Sequence, residues 1–266
     1  MEIEIIMEYI IEHIDGNMIK CPRVLYKYRT WNDANHKKVL NENSLYMASP
    51  RKFDDIKDCR VPQKFPSQEE LRDYFTTKDK FENPYRSRGE RRELVRRLVK
   101  ESSLSNPRKL AERLGQIKEE FNDCFGVLSM TANPSNDEMW KQYSDNHRGI
   151  CVGFDTKSLF ESMNGGGGEV QYTDELPIID LLKDNLLEKH IKNVYFKERK
   201  WEFEEEYRLH KMWKHKASDD ERNIQLPDNC ITEIHIGKFV DPKDKAEILK
   251  IAKEKYPKAK IIEHKE

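Results

Sequence analysis

Glu204, Glu206 and Arg208 stand at alternate positions in Trp201-Glu202-Phe203-Glu204-Glu205-Glu206-Tyr207-Arg208-Leu209. Read as a strand, whose side chains alternate between faces, the stretch puts Glu204, Glu206 and Arg208 on one side. Phe203, Tyr207 and Leu209 fall on the other. Carboxylates two residues apart on a strand stand roughly 6–7 Å from each other. One of them then has room to orient a substrate hydroxyl while the other acts at the bond being broken, and the guanidinium beside them keeps one ionised. The same pattern also suits an edge strand with a charged, solubilising outer face.

Three further clusters carry chemistry-bearing side chains. Asp54, Asp55 and Asp58 crowd a loop that follows Pro50. Carboxylate oxygens of this kind bind Mg²⁺, and the same residues serve as turn formers and helix caps. In Met139-Trp140-Lys141-Gln142-Tyr143-Ser144-Asp145, helical spacing makes Trp140 and Tyr143 neighbours, either as core or as a wall on which a planar ring stacks. On a strand over 24–29, Lys27 and Arg29 share a face with Leu25, while Tyr26 and Tyr28 share the other. These cations suit either ion pairs or a diphosphate.

The elements that must position these groups read as follows. Ile3, Ile6, Met7, Ile10 and Ile14 have helical spacing, so an amphipathic helix is expected over 3–14, ended by Asp15-Gly16-Asn17. Strands are expected over 24–29 and 44–49, with a short helical or looped crossover over 31–40. From 67 to 121 the pattern is helical and strongly charged, with Pro107 opening its last helix. Its Arg91–Arg97 face suits either phosphate backbones or solvent, with glutamates as local partners. Strands follow at 125–130, 147–155, 169–172, 201–212, 231–236 and 260–263. Helices are expected at 136–145, 178–195 and 241–255. Gly165–Gly168 reads as a flexible loop, too far from a strand–helix junction to cradle phosphate. The mixture lacks a regular strand–helix alternation. It therefore predicts an α+β fold, one domain over 1–266 with the 67–121 helices as an insertion.

Composition excludes several classes. The 266 residues carry 48 Lys and Arg against 49 Asp and Glu, a net charge of −1, which argues against a generally basic nucleic-acid binder. No apolar run of membrane-spanning length occurs, and the first residues lack the basic region of a secretory signal. The five cysteines are scattered, without Cys-x-x-Cys or zinc-finger spacing. Reduced thiols and a cytoplasmic location are expected, and no metal.

In this order, several segments resemble the bacterial domain-of-unknown-function family 2971. They are Leu25-Tyr26-Lys27-Tyr28-Arg29, the stretch from Asn43 through Ser49-Pro50 to Asp55, Met139 to Ser144, His147 to Asp155, and Trp201 to Leu209. The chain departs from the family's usual Asn-Asp-Pro-Phe-Asp at Asp54-Asp55-Ile56-Lys57-Asp58. A cation-bearing first strand, a Ser-bearing second and a later Glu-x-Glu strand are also similar, more weakly, to ADP-ribosyltransferases. That resemblance implies a mostly antiparallel sheet of the ADP-ribosyltransferase fold and NAD as substrate, cleaved at the nicotinamide–ribose bond. Carried over, Lys27 holds NAD with Arg29 in reserve, Ser49 supports the nicotinamide ribose, and Trp140 or Tyr143 lines the pocket. Glu206 is then the catalytic acid and Glu204 its helper. Lys27 replaces the family's Arg or His, a point charge in place of a planar fork. By analogy with bacterial transferases, a toxin or phage-defence role is implied, with the acceptor open. Two alternatives stand beside this: a Mg²⁺-dependent nuclease using Asp54, Asp55 and Asp58, and a non-enzymatic binding module whose acids are structural ion pairs.

Overall fold

The computed structural model describes residues 8–12 and 18–265. Seven strands form the central sheet: β1 (Val24–Arg29), β2 (Phe125–Thr131), β3 (Ile150–Asp155), β4 (Gly166–Glu169), β5 (Glu206–Met212), β6 (Ile231–Ile236) and β7 (Lys260–Glu263). Their order is β7-β6-β3-β1-β2-β5-β4. β6 and β7 run parallel and the other neighbours antiparallel, so the fold is mixed α/β on a mostly antiparallel sheet.

The pairing across this sheet is uneven. β1 pairs with β3 along its whole length, from Val24↔Asp155 to Arg29↔Ile150. β2 pairs with β5 from Thr131↔Glu206 to Phe125↔Met212. β1 and β2, however, meet in register only at Tyr26↔Thr131. The sheet is thus two half-sheets held together at one residue pair, and beyond that pair the strands part.

Burial follows the strand alternation. Leu25, Leu128, Val152, Phe154, Leu209 and Ile234 pack on one face, with Leu159 and Ile248 from the helices Thr156–Met163 and Pro242–Lys255. On the other face, Tyr26, Tyr28 and Cys151 pack against Met139 and Trp140 of the helix Asp137–Tyr143. Phe125 and Val127 pack there against Val194 and Tyr195. Local caps fix the helices. The Asp33 carboxylate accepts from the Asn35 and His36 N–H groups at the start of Ala34–Asn41. Ser67 with Glu70, and Ser87 with Glu90, form capping boxes for Gln68–Glu82 and Arg88–Glu101. Pro107 opens Pro107–Cys124, where its missing N–H costs nothing.

Several expected elements differ. In place of a helix over 3–14, Glu8–Glu12 is a strand paired antiparallel with Met18–Pro22. The β-branched and aromatic run Tyr9-Ile10-Ile11 outweighs the helical spacing. The rest of the expected helix and the Asp15-Gly16-Asn17 stop lie outside the described residues. The glycine run is not a loop: Gly166–Glu169 is strand β4, paired with β5. A Cβ on Gly167 would lie 2.5 Å from the Phe160 ring, so glycine is what allows this close approach. The strand at 44–49 ends at Tyr46, because Ser49 and Pro50 start a 3-10 turn. Of the helix expected over 178–195, only Leu186–Val194 forms. The Asp180 carboxylate instead accepts from the Leu182 and Lys183 N–H groups, a turn that competes with helix.

The end of β1 has no spare room. A Cβ on Gly149 would sit 2.1 Å from the Arg29 carbonyl oxygen, whereas a Cβ on helical Gly89 meets nothing within 4 Å. Gly149→Ala is therefore expected to lose about 2 kcal/mol in urea unfolding, the cost of overpacking. Gly89→Ala is expected to gain a few tenths, up to about 1 kcal/mol, from helix propensity.

Candidate active site

Glu204 and Glu206 do not lie on one continuous strand. Arg199–Glu204 is a 3-10 helix, Glu205 takes a left-handed conformation with φ 43°, and β5 begins only at Glu206. The expected alternation holds for Glu206 and Arg208 and fails for Glu204. The turn nevertheless folds Glu204 back, so that both carboxylates reach one cation, Lys197. That residue lies on the short strand Phe196–Glu198, which pairs with Gln171–Thr173.

The result is a buried network of five charges. Lys197 Nζ donates to Glu204 and, at 3.2 Å, to Glu206 Oε2, and lies 3.7 Å from Asp58 Oδ2. Arg208 grips Glu206 with two hydrogen bonds, Nε to Oε1 at 2.8 Å and a terminal nitrogen to Oε2 at 3.1 Å. The same guanidinium donates to Asp58 at 2.8 Å and to the Val194 carbonyl at 2.6 Å. The Tyr143 hydroxyl donates to Glu204 Oε1, and the Glu206 N–H donates to the Tyr172 hydroxyl at 2.9 Å. Arg208 is fully buried and Glu206 is 2% exposed, so these two charges are satisfied by protein partners.

Burial sets the titration of this network. It pushes the Glu206 carboxyl up, but Arg208 and Lys197 overcome it and hold Glu206 well below the usual carboxylate range. Glu204 goes the other way: burial and the Glu206 charge push it up, against Lys197 and Tyr143. Burial pulls Lys197 down, yet Glu206, Glu204 and Asp58 outweigh it and its pKa is raised. Lys27 is pulled down to about 7, chiefly by burial and then by Arg29, with Glu206 and Glu204 opposing.

The network forms part of the wall of a cleft of about 780 Å³ that opens where β1 and β2 part. Lys27, Arg29, Tyr143, Lys197, Glu204 and Glu206 all line it. The pairing Tyr26↔Thr131↔Glu206 puts Glu206 on the Tyr26 face of the sheet, opposite Lys27 and Arg29. These groups share a cavity because the strands separate there. Lys27 stands at the gap, its ammonium donating across it to the Ser129 carbonyl.

Other candidates are placed elsewhere. Ser49 is buried outside the cleft lining. Its hydroxyl donates to the Asn122 carbonyl at 2.7 Å and caps the 3-10 turn, so it is not positioned to touch a ribose in the cleft. Trp140 is core, 1% exposed, with its indole N–H on the Pro134 carbonyl and its ring stacked on His147. Of the pair Trp140 and Tyr143, only Tyr143 reaches the cleft. The three loop aspartates all line the cleft but differ in their partners: Asp55 accepts from the Trp201 indole at 2.7 Å, and Asp58 Oδ2 pairs with Arg208 and Lys197 while its Oδ1 has no hydrogen-bond partner. Among the described residues, no group of three or more His, Cys, Asp or Glu side chains is placed to hold a metal ion. Arg91 is tied inward to buried Asp79 at 2.9 Å, which leaves Arg92, Arg96 and Arg97 exposed. No described helix is long and apolar enough to cross a membrane.

Lys197 and Tyr172 are site residues that the sequence reading does not name, and Asp58, expected there as a Mg²⁺ ligand, serves as a counter-charge to Arg208 and Lys197. Lys197 had a weak signal, a lysine within ten residues of the Glu-x-Glu pair; for Tyr172 there was none. Residues 139–209, a stretch that includes Trp140, Tyr143, Lys197, Glu204, Glu206 and Arg208, match the family model described as Protein of unknown function (DUF2971). No curated protein and no solved structure matches the chain.

Two outcomes follow from the geometry. Glu206→Gln leaves a buried guanidinium and ammonium short of one charge, so denaturant unfolding is expected to show a loss of about 3 kcal/mol or more; Glu204→Gln is expected to lose less. Lys27 has a folded pKa near 7 against 10.5 unfolded. Between these values the unfolded chain binds the extra proton, so this group's contribution to stability rises with pH. Lys27→Met is accordingly expected to raise stability at pH 6, with the gain shrinking by pH 8.5.

Proposed function

We propose that the cleft binds NAD and that the chain cleaves the nicotinamide–ribose bond, as in the ADP-ribosyltransferases its strand order resembles. The observation that carries this reading is the convergence of Lys27, Glu204 and Glu206 on one cleft, from segments distant in sequence. In the step, the C1′–N bond breaks and its electron pair leaves with nicotinamide. Positive charge develops on the ribose, and an acceptor nucleophile adds at C1′ and loses a proton. The network fixes Glu204 and Glu206 in the cleft wall. A fixed carboxylate there stabilises the developing cation more than the neutral ribose.

The hydrogen bonding divides the roles. Glu206 has its oxygens taken up by Arg208 and Lys197 and supplies a fixed, ionised charge. Each Glu204 oxygen accepts one hydrogen bond, from Tyr143 or from Lys197, and keeps a lone pair for a ribose hydroxyl. Lys27, at the gap, faces the diphosphate, with Arg29 beyond it. The acceptor is water, a small molecule or a macromolecule.

A second reading has its own support. Complete pairing of Glu206 also fits a binding module in which the acids are structural and the ligand leaves unchanged. The Mg²⁺ nuclease reading loses Asp58 to Arg208 and Asp55 to Trp201.

Incubation with NAD labelled in nicotinamide separates these. Wild type is expected to release free nicotinamide, and Glu204→Gln, with its melting transition retained, to release at least a hundredfold less. NAD binding without release establishes the binding module. Unchanged release by Glu204→Gln removes that residue from the mechanism.

A further inference from the structure

The helical insertion carries a charged face that the cleft does not use. In Arg88–Glu101, Val95 and Val99 pack inward with Leu71 of Gln68–Glu82. Arg88, Arg92, Arg96 and Lys100 follow one another at four-residue steps, and all four are exposed. At the usual rise of a helix they form a row of roughly 18 Å, with neighbours about 6 Å apart. Among the described residues no carboxylate lies within ion-pair distance of any of the four. Glu90 is held in the capping box with Ser87, and neither Glu93 nor Glu101 forms an ion pair with a described residue. Like charges four residues apart repel each other on a helix. A polyanion lying along the row turns that repulsion into attraction.

Two aromatic rings stand at the Arg88 end of the row. Phe81, in the last turn of Gln68–Glu82, is 89% exposed, and Tyr85, in the turn between the helices, is fully exposed. The backbone that carries them is fixed. Buried Asp79 pairs with Arg86 at 3.1 Å and with Arg91 at 2.9 Å, and Arg91 also donates to the Asn83 carbonyl at 2.8 Å. Cations along one line with rings held out beside them are what a single strand requires: phosphates meet the charges and unpaired bases stack on the rings. The bases of a duplex are already stacked on one another and offer the rings nothing. A bilayer takes up a helix by its apolar face, and that face of Arg88–Glu101 is already packed on Leu71.

We propose that Arg88, Arg92, Arg96 and Lys100, with Phe81 and Tyr85 at one end, form a docking surface for a single strand of nucleic acid. The attraction is local, since the whole chain has a net charge of −1. None of the six residues lines the cleft, so the surface stands whether or not the cleft turns over NAD.

Fluorescence anisotropy with end-labelled oligo(dT) and oligo(U) of about 16 nucleotides tests it. Wild type is expected to bind a single strand, with log affinity falling against log salt at a slope of about −3, as for four phosphate contacts. The double variant Arg92→Gln/Arg96→Gln is expected to weaken binding at least tenfold and to bring the slope to about −1.4. Tyr85→Ala is expected to weaken it about fivefold or more with the slope unchanged. Arg108→Gln/Arg113→Gln removes the same charge from Pro107–Cys124, where both arginines are paired with glutamates, and is expected to leave affinity within about threefold of wild type. All these side chains are exposed, so the variants are expected to keep the wild-type melting transition. No binding of either strand, affinity indifferent to Arg92 and Arg96, or an equal loss in the Arg108/Arg113 variant overturns the surface. A duplex of the same length bound as tightly as the single strand, with Tyr85→Ala silent, overturns the single-strand assignment. Binding to vesicles of anionic phospholipid without binding to either oligonucleotide gives the row to a membrane surface instead.

Discussion

A guanidinium with no exposure to water, gripped by one carboxylate through two hydrogen bonds and by a second through another, is the constraint on which the site is built. Arg208 must be satisfied inside the protein, since the cost of leaving such a charge unpaired is several kcal/mol. That requirement draws Asp58 in from a loop about 150 residues away and fixes Glu206 at the start of β5. The third acid, Glu204, then needs a cation of its own, and Lys197 supplies it while also touching Glu206 and Asp58. The residues that stabilise the interior are thus the ones that hold charge at the edge of the cleft.

Backbone geometry gives the network its access. Seven strands in full register would have closed the sheet and left Lys27 and Glu206 on opposite faces with no common space. Pairing of β1 and β2 at Tyr26 and Thr131 alone keeps the half-sheets together and leaves room beside them. The tight contacts that hold this shape are local: Gly149 against the Arg29 carbonyl, and Gly167 against Phe160. A stable scaffold and an open cleft are compatible because one core runs under both half-sheets, with Leu25 and Val152 in the same cluster as Leu128 and Leu209, while the other face carries separate clusters.

Much of the architecture was legible because it rests on local rules. Strand alternation placed Leu25 in one core and Tyr26 and Tyr28 in another. Asn136, Pro107 and Asp241 marked helix starts through cap chemistry. The failures came where local preference is balanced. Glu204 had the spacing of a strand residue, but a left-handed Glu205 broke the strand ahead of it. The glycine run had the composition of a loop, and became a strand because β5 offered a partner edge and Phe160 left no room for side chains. Ser49 looked like a site residue by order along the chain, yet its hydroxyl was claimed by the Asn122 carbonyl.

What the sequence by itself determined was the inventory: a strand-borne Glu206 and Arg208, a cation-bearing first strand, an aromatic helix face, and a charge balance near zero. These follow from residue types and short-range periodicity, which act over a few residues. Tertiary structure alone decided that Lys197 would join the two glutamates, that Trp140 would be core while Tyr143 reached the cleft, and that Arg91 would turn inward to Asp79. Each of those outcomes depends on which distant segments meet and on where two strands stop pairing, and burial then sets which charges survive by the partners they find.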